Sequence, residues 1–205
     1  MSTITGYWQA SLAKMIDTIG EEAVKEILAS FSCPLNQDVE YFLHHKAIEF
    51  CKQCISATHL VFASYHEKPV LVGYYTLASK IFVIRNTTKL SANLRKRINK
   101  FGNHNPELRQ YEVPVPLIGQ LGKNYANEYN RLITGDELLH LAFDRIRTIH
   151  MCMGGKMAFL ECAPIPSLIR FYERNGFVQA EVRTLSPEEI GLDGHDAYMQ
   201  MIKYF

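Results

Sequence analysis

Residues 157–177, MAFLECAPIPSLIRFYERNGF, carry the strongest structural signal in the chain. Their first seven residues form a short apolar run, which predicts a buried strand. Residues 165–177 predict a short helix that ends at Gly176, because glycine readily takes the left-handed conformation found just after a helix. The stretch therefore predicts a strand followed directly by a helix.

The flanking sequence continues this alternation. Upstream, a helix from about Asp136 to about His150 shows one apolar face at helical spacing. A helix from about Asp38 to about Ser56 is predicted with Asp38 as its N-cap. Strands over 59–65 and 70–79 are predicted to form a hairpin across the polar turn HEKP (66–69), and 81–84 would prolong the second strand. The order is helix, helix, strand, strand, excursion, strand, helix, strand, helix, strand, strand, over 21–31, 38–56, 59–65, 70–79, 85–112, 113–125, 136–150, 157–163, 165–177, 177–185 and 197–205. It predicts an α/β (α+β) domain with a mixed, mostly antiparallel central sheet and helices on both faces.

Composition excludes several classes of protein. The chain has 205 residues, of which 47% are hydrophobic and 21% charged, and its net charge is +1. These values are typical of a globular protein, and no apolar run approaches the roughly 20 residues of a membrane helix. The first 17 residues lack the basic and apolar regions of a signal peptide. We therefore expect a cytoplasmic protein without membrane attachment.

The cysteines do not form a metal-binding pattern. There are five, an odd number that favours reduced thiols. Cys51 and Cys54 form a C-x-x-C inside the predicted helix 38–56, where they are expected to fill the core or the surface. Cys152 and Cys162 are too far apart to complete a zinc site of two close pairs. No metal is expected.

Phe171-Tyr172-Glu173-Arg174-Asn175-Gly176-Phe177, following the strand 157–163, resembles the F-Y-x-x-x-G-F motif of the GCN5-related N-acetyltransferase (GNAT) superfamily. A further resemblance is to the bacterial branch that includes toxins acetylating aminoacyl-tRNA, through FSCPLNQDVEYFLHHKA (31–47), VLVGYYTLAS (70–79), SANLRKR (91–97) and VPVPLIGQL (113–121). The resemblance implies a GNAT domain over 31–205. Residues 1–30 lie outside it and are expected to be an N-terminal helical addition.

The resemblance implies that acetyl-coenzyme A binds where two parallel strands splay apart, here 116–123 and 157–163. The backbone edge at Leu121, Gly122 and Lys123 would pair with the pantetheine arm as an added strand does. Gly122 would let this arm approach the backbone closely. One N–H near Leu121 would stabilise the oxyanion. The alternative is a plain core strand with a bulge at Gly122.

The segment YNRLITGDELLHLAF (129–143) matches the family's pyrophosphate loop only in part. The motif Q/R-x-x-G-x-G/A falls on residues 130–135, and its N–H groups would hold the anion at a helix N-terminus. The residues assigned to this site are Asn130, Arg131, Ile133, Thr134, Gly135 and Asp136. Asn130 and Ile133 depart from the motif, and Asp136 would repel a phosphate that it faced. The alternative is an ordinary helix start.

Two residues are candidates for the proton transfers. By resemblance, Tyr172 is the general acid for the thiolate, and its ordinary pKa of about 10 keeps it protonated at neutral pH. The alternative is that Tyr172 is a packing aromatic beside Phe171 and Phe177. The catalytic assignment is preferred because those two phenylalanines are better suited to face the core. Glu161 on the splayed strand is the candidate general base through water. Its alternative is a paired or solvated strand end.

The excursion over 85–112 is basic. It carries seven cations against Glu107 and Glu112, namely Arg85, Lys89, Arg95, Lys96, Arg97, Lys100 and Arg109. A solvated surface is one interpretation. The other is a tRNA-facing patch through 85–109. Because Arg95, Lys96 and Arg97 are consecutive, they cannot all share one face of a helix, which favours a turn over an amphipathic helix.

The sequence thus predicts an acetyl-CoA-dependent N-acetyltransferase that acts by direct attack of a primary amine of a small molecule, peptide or protein. One alternative is a toxin that acetylates the α-amine of aminoacyl-tRNA and has an antitoxin partner. Another is a non-catalytic module with the acyl-CoA fold, whose weakened loop no longer binds the cofactor. A homodimer is also expected from the resemblance.

Overall fold

The computed structural model describes residues 6–85 and 89–205. Within this part of the chain the helices are α1 (Leu12–Ile19), α2 (Glu21–Ala29), α3 (Gln37–His45), α4 (Ala47–Lys52), α5 (Ala92–Ile98), α6 (Gly135–Met153) and α7 (Pro166–Arg174). The strands are β1 (Tyr7–Ser11), β2 (Ala57–Tyr65), β3 (Lys68–Ile84), β4 (Asn103–Asn105), β5 (Gln110–Lys123), β6 (Met157–Cys162), β7 (Val178–Thr184) and β8 (Ala197–Tyr204). Short 3-10 turns occupy Asn99–Phe101, Ala126–Arg131 and Pro187–Glu189.

The strands follow the order β1-β2-β3-β5-β6-β8-β7, and β4 pairs with β5 outside this path. Strands β5 and β6 are parallel, whereas β1–β2, β2–β3, β6–β8 and β7–β8 are antiparallel. The predicted mixed, mostly antiparallel sheet is confirmed. The chain divides into two compact units, unit 1 (Met1–Ala78 and Gly119–Asp144) and unit 2 (Ser79–Ile118 and Arg145–Phe205). Strands β3 and β5 each contribute residues to both units.

Unit 1 is built on helices α1 to α4. Their buried apolar side chains form one core with strands β2 and β3, and it includes Leu12, Val24, Leu28, Phe31, Val39, Phe42, Leu43, Leu60, Phe62, Leu71 and Tyr74. Asn36 caps α3, because its side chain accepts a hydrogen bond from Val39 N at 2.9 Å. The prediction of Asp38 as the cap is therefore wrong by two residues.

The single helix predicted over 38–56 is also wrong. Helix α3 ends at His45, and α4 begins at Ala47. Lys46 lies between them. Its φ of −120° departs from helical geometry, although its ψ is −28°. Helix α4 ends at Lys52, and Cys54 has a φ of 56°. No proline or glycine marks either break, so the continuous apolar periodicity concealed them.

Strands β2 and β3 form the predicted hairpin, joined through His66 and Glu67. Both residues have positive φ, 50° and 62°. A two-residue type I′ turn, whose twist matches that of the strands, requires these values. The suggested extension of the second strand over 81–84 is confirmed, since β3 continues to Ile84.

The N-terminal segment contains a strand that the sequence analysis did not anticipate. Strand β1 pairs with β2 from Tyr7↔Ala63 to Ser11↔His59, and helices α1 and α2 follow it. Residues 1–30 are thus not purely helical within their described part. The boundary at residue 30 stays a prediction.

Unit 2 has its own core, formed by Phe82, Ile84, Ile98, Val113, Val115, Met157, Phe159, Ala180 and Ile202. In the excursion, Ser91 caps helix α5 by accepting a hydrogen bond from Leu94 N at 3.2 Å. Arg95, Lys96 and Arg97 form the last turn of this helix, so the expected turn is wrong. Cations at a helix C-terminus are stabilising, which gives these residues a structural role.

Candidate active site

The strand pair expected to carry the cofactor is present. In unit 2, β5 and β6 run parallel with the register Leu117↔Phe159 and Ile118↔Leu160. Strand β5 then continues to Lys123. The parallel pair requires a crossover connection, and here the loop 124–134 and helix α6 supply it.

Gly122 is required by packing inside unit 1. A Cβ built there would lie 2.4 Å from Val39 Cγ1 and 3.3 Å from Phe31 Cζ. The space that a side chain at position 122 would need is therefore filled by Val39 of helix α3 and by Phe31, which precedes that helix in the chain. Packing alone is thus a sufficient reason for glycine at position 122, and the expectation that Gly122 admits the cofactor stays a prediction. Cofactor binding by the backbone of Leu121, Gly122 and Lys123 stays a prediction.

Asn124 fixes the start of the crossover loop. Its side chain is fully buried and makes four hydrogen bonds. The amide nitrogen donates to Leu71 O at 2.8 Å and Ser30 O at 3.1 Å, and the amide oxygen accepts from Ser32 N at 2.9 Å and Ala126 N at 3.0 Å. This is the full capacity of an asparagine side chain. The loop therefore leaves β5 from a rigid point, which the sequence analysis did not identify.

The next residues form a 3-10 turn over Ala126–Arg131, with Asn127 and Glu128 in the left-handed region. Lys123 Nζ donates to the carbonyl oxygen of Asn130 at 3.0 Å. Arg131 forms an ion pair with Glu128 at 2.9 Å, and both side chains are mostly exposed. Such a pair is weak in water. The turn thus brings the ammonium of Lys123 to the residues predicted to hold a pyrophosphate, and it offers the guanidinium of Arg131 at the surface.

The start of helix α6 is closed by a capping box. Glu137 N donates to Thr134 Oγ1 at 3.1 Å, while Glu137 Oε2 accepts from Thr134 N and Thr134 Oγ1, both at 2.7 Å. These hydrogen bonds from Thr134 hold the pKa of Glu137 below its ordinary value. The chain's own carboxylate therefore occupies the Thr134 N–H that was assigned to a phosphate. The spacing T-x-x-E is the signal that sequence reasoning passed over.

The remaining positions of the predicted motif have ordinary structural roles. Ile133 is 2% exposed, so a core side chain stands where the family has its first glycine. Gly135 and Asp136 are the first two residues of α6. The carboxylate of Asp136 thus interacts favourably with the positive end of the helix dipole. This agrees with the interpretation of the segment as an ordinary helix start. Phosphate binding by these residues stays a prediction.

Strand β1 also reaches this loop within unit 1. Tyr7 Oη donates to the carbonyl oxygen of Leu132 at 2.7 Å. Burial and then the nearby charge of Glu137 raise the pKa of Tyr7. The resemblance did not extend to residues 1–30, so this contact had no sequence signal.

Tyr172 lies in helix α7 of unit 2. Its ring makes edge contacts with Phe171 and Phe177, at centroid distances of 4.9 and 5.7 Å. Tyr172 and Phe177 are buried and Phe171 is only half-buried. The packing reason given for choosing Tyr172 is therefore wrong, because Tyr172 itself faces the core. Burial and then Cys162 raise its pKa well above the ordinary range, so its phenol is neutral at physiological pH.

Glu161 lies in β6 of unit 2, and its carboxylate is already paired. It accepts hydrogen bonds from Arg183 Nε at 2.8 Å and Nη2 at 3.1 Å, and from Gln200 Nε2 at 2.8 Å. Lys80 Nζ lies 4.0 Å away. This bidentate arrangement is the geometry of a structural ion pair. It favours the paired strand end over the general base.

The predicted site residues thus fall into two groups. The structure brings Lys123, Asn130 and the turn before α6 together in unit 1, and it places Tyr172 and Glu161 in unit 2. Within the described residues, no group of three or more histidine, cysteine, aspartate or glutamate side chains is arranged to hold a metal. None of the helices in the same part of the chain combines the length and the apolar composition of a membrane span.

Solved structures resemble this chain along most of its length. A mutant of KacT has a TM-score of 0.61 and 16% identity, covering 94% of this chain and 93% of its own. AtaT complexed with acetyl-methionyl-tRNAfMet has a TM-score of 0.61 and 16% identity, covering 95% and 94%. An AtaT mutant toxin bound to the C-terminus of the antitoxin AtaR and acetyl-CoA has a TM-score of 0.54 and 15% identity, covering 94% and 91%.

Comparison by sequence finds no counterpart, since neither a protein-family model nor a curated protein matches the chain. The likeness therefore concerns the fold. Agreement over more than nine-tenths of both chains means that this chain shares the fold of these solved structures. The predicted GNAT-like fold, with its parallel β5–β6 pair and α6 crossover, is confirmed.

Proposed function

We propose that the chain is an acetyl-CoA-dependent N-acetyltransferase that transfers acetyl directly to a primary amine. The observation that carries the proposal is the fold, since it resembles a solved toxin bound to acetyl-CoA along 94% of this chain. The parallel β5–β6 pair and the loop before α6 support it, because they are the elements to which the sequence resemblance assigns the co-substrate.

The loop offers a mixed fit to the diphosphate of acetyl-CoA. The ammonium of Lys123 and the exposed guanidinium of Arg131 favour an anion. The carboxylate of Glu137 opposes it, because it accepts the Thr134 N–H. A phosphate that binds at Thr134 must displace this carboxylate. We therefore expect weaker binding than a helix start with a free N–H would give.

In the proposed reaction, the neutral amine attacks the thioester carbonyl, its C–N bond forms, and the C–S bond breaks. The amine loses a proton, and the leaving thiolate gains one. Backbone N–H groups near Leu121 stabilise the oxyanion. Tyr172 is proposed as the proton donor to the leaving thiolate, since burial raises its pKa and its phenol therefore carries a proton at physiological pH.

The exchange Tyr172→Phe tests this role. We expect kcat to fall by about 10²–10⁴-fold, the usual contribution of a general acid, with a small change in Tm. Tyr111→Phe is the matched control, since Tyr111 is a half-buried tyrosine of unit 2 outside the proposed machinery. Full activity of Tyr172→Phe would remove Tyr172 from the mechanism and leave it as a packing residue.

A second candidate function is acetylation of the α-amine of aminoacyl-tRNA by a toxin with an antitoxin partner. It is favoured by the likeness to AtaT solved with acetyl-methionyl-tRNAfMet. Lys96 in α5 and Lys100 just after this helix have exposed side chains, and their positive charges suit a phosphate backbone. Chemistry also favours it, since an α-amine has a pKa near about 8 and a lysine amine near about 10.4.

A screen with labelled acetyl-CoA over small amines, peptides and charged tRNA identifies the acceptor. For tRNA, Lys96→Ala/Lys100→Ala should weaken binding and reduce its salt dependence, whereas Lys14→Ala, an exposed lysine of α1, should not. Normal growth and translation of a bacterium at high expression would contradict the toxin function while leaving the acetyltransferase proposal intact.

The non-catalytic alternative has one supporting observation, the carboxylate that closes the helix start. Calorimetry with acetyl-CoA decides this alternative. Saturable binding would reject it. The absence of binding at near-physiological salt would reject both enzymatic functions.

A further inference from the structure

The structure places Cys51 and Cys54 on either side of the end of α4, not inside one continuous helix. Cys51 is the fifth residue of α4, which ends at Lys52, and Cys54 lies beyond it with a φ of 56°. The N–H of Cys54 donates to the carbonyl oxygen of Cys51 at 3.1 Å. This hydrogen bond closes a four-residue turn with the two cysteines at its ends.

Such a turn places the Cα atoms of the two cysteines at a separation that disulfides span. The first and last Cα atoms of a four-residue turn lie within about 7 Å, and disulfides span Cα distances of about 4.4–6.8 Å. Neither Cys51 nor Cys54 is part of a disulfide. The charge of Cys54 contributes to the raised pKa of Cys51, after burial, which agrees with the closeness of the two side chains.

The two thiols differ in exposure, so a dissolved disulfide reaches Cys54 more easily than Cys51. Cys54 is exposed, whereas Cys51 is half-buried and packs against the core of unit 1. A metal site is the other use of a cysteine pair, but it needs further ligands. Among the described residues, no group of three metal-binding side chains includes these cysteines. The pair therefore suits oxidation better than metal binding.

We propose that Cys51 and Cys54 are a thiol-oxidation site that forms a reversible intramolecular disulfide with a low-molecular-weight disulfide as oxidant. The thiolate of Cys54 attacks one sulfur of the oxidant, forming a mixed disulfide and releasing one thiolate. The thiolate of Cys51 then attacks the sulfur of Cys54, forming the internal disulfide and releasing the second thiolate. Two protein thiols are oxidised, one small disulfide is reduced, and the two protons go to the released thiolates.

The test uses oxidised glutathione on the folded full chain, followed by alkylation and peptide mapping. The peptide that contains Cys51 and Cys54 should lose both free thiols and carry no glutathione. Cys152 is the internal control, since it is exposed in α6 and has no cysteine three residues away, and it should retain a glutathione adduct. In Cys51→Ser, the adduct on Cys54 should persist.

A reductant should restore both thiols in the wild-type chain. The proposal is overturned if glutathione persists on Cys54 while Cys51 is intact, because the second step then fails. It is also overturned if both thiols remain free while Cys152 reacts. Neither result depends on acetyltransferase activity, so this site is tested independently of the proposed function.

Discussion

Replacing Gly122 by alanine separates the two reasons for a glycine at the end of β5. The added Cβ would lie 2.4 Å from Val39 Cγ1, a contact that real structures essentially never contain. Valine is branched at Cβ and cannot swing its methyl group away cheaply. Overpacking of this kind costs about 1–3 kcal/mol. In a chain of this size, 1 kcal/mol lowers Tm by about 2–4 °C, so the expected fall is roughly 2–12 °C.

The assay is thermal unfolding of Gly122→Ala, Val39→Ala and the double variant. Val39→Ala removes the methyl group that the new Cβ meets, so the double variant should be more stable than the sum of the single effects predicts. We expect a coupling of about 0.5–3 kcal/mol. Acetyl-CoA binding by calorimetry should be retained by the folded fraction of Gly122→Ala.

Two results would refute this reasoning. One is a wild-type Tm for Gly122→Ala, which would mean that the core accepts the methyl group. The other is a lowered Tm without any rescue by Val39→Ala. If Gly122→Ala kept its Tm and lost acetyl-CoA binding, close approach of the co-substrate would be the reason for the glycine after all.

Three further predictions concern charged groups. Glu137→Gln keeps the capping geometry but removes the charge, so the Kd for acetyl-CoA should fall by up to about tenfold. The control is Glu22→Gln, at an exposed position of α2. An unchanged Kd for Glu137→Gln would show that this carboxylate does not oppose the phosphate. Glu161→Gln should lower stability by about 1–3 kcal/mol, because the charged hydrogen bonds from Arg183 are lost, with kcat nearly retained; a large loss of kcat at an unchanged Tm would restore Glu161 as the general base. Burial lowers the pKa of His150, so its stabilising contribution is present above about pH 6.5 and is lost as the pH falls through the folded pKa. Consequently, the Tm of His150→Gln should depend less on pH between about pH 7.5 and about pH 5 than that of the wild type, and equal slopes would contradict this.

Regular elements with strong local patterns could be predicted from the sequence. The spacing of apolar residues and the turn residues predict the α6 apolar face, the β2–β3 hairpin and the strand before α7. Strand β1 could not, because its five residues gain their strand partner only from β2, more than 40 positions away. The break at Lys46 also had no local signal, since neither proline nor glycine stands there.

The sequence predicted which elements carry the candidate residues better than it predicted their contacts. The resemblance pointed to the loop before α6 and to the tyrosine of α7, whose roles stay predictions. It did not reveal that Val39 fills the place beside Gly122, nor that Arg183 holds Glu161. These contacts join residues far apart in sequence, so no local pattern encodes them. The Thr134–Glu137 cap is the exception, because its three-residue spacing is visible in the sequence.

The division of unit 1 into two segments has a consequence for synthesis on the ribosome. Phe31 and Val39 emerge early, but the strand end that covers them at Gly122 is made more than 80 residues later. Until then, the nascent segment Met1–Ala78 has apolar side chains with no final partner, a state that favours aggregation or chaperone binding. Termination anywhere before Gly119 leaves unit 1 without its second segment, so truncated products should be degraded and not accumulate as partly active fragments.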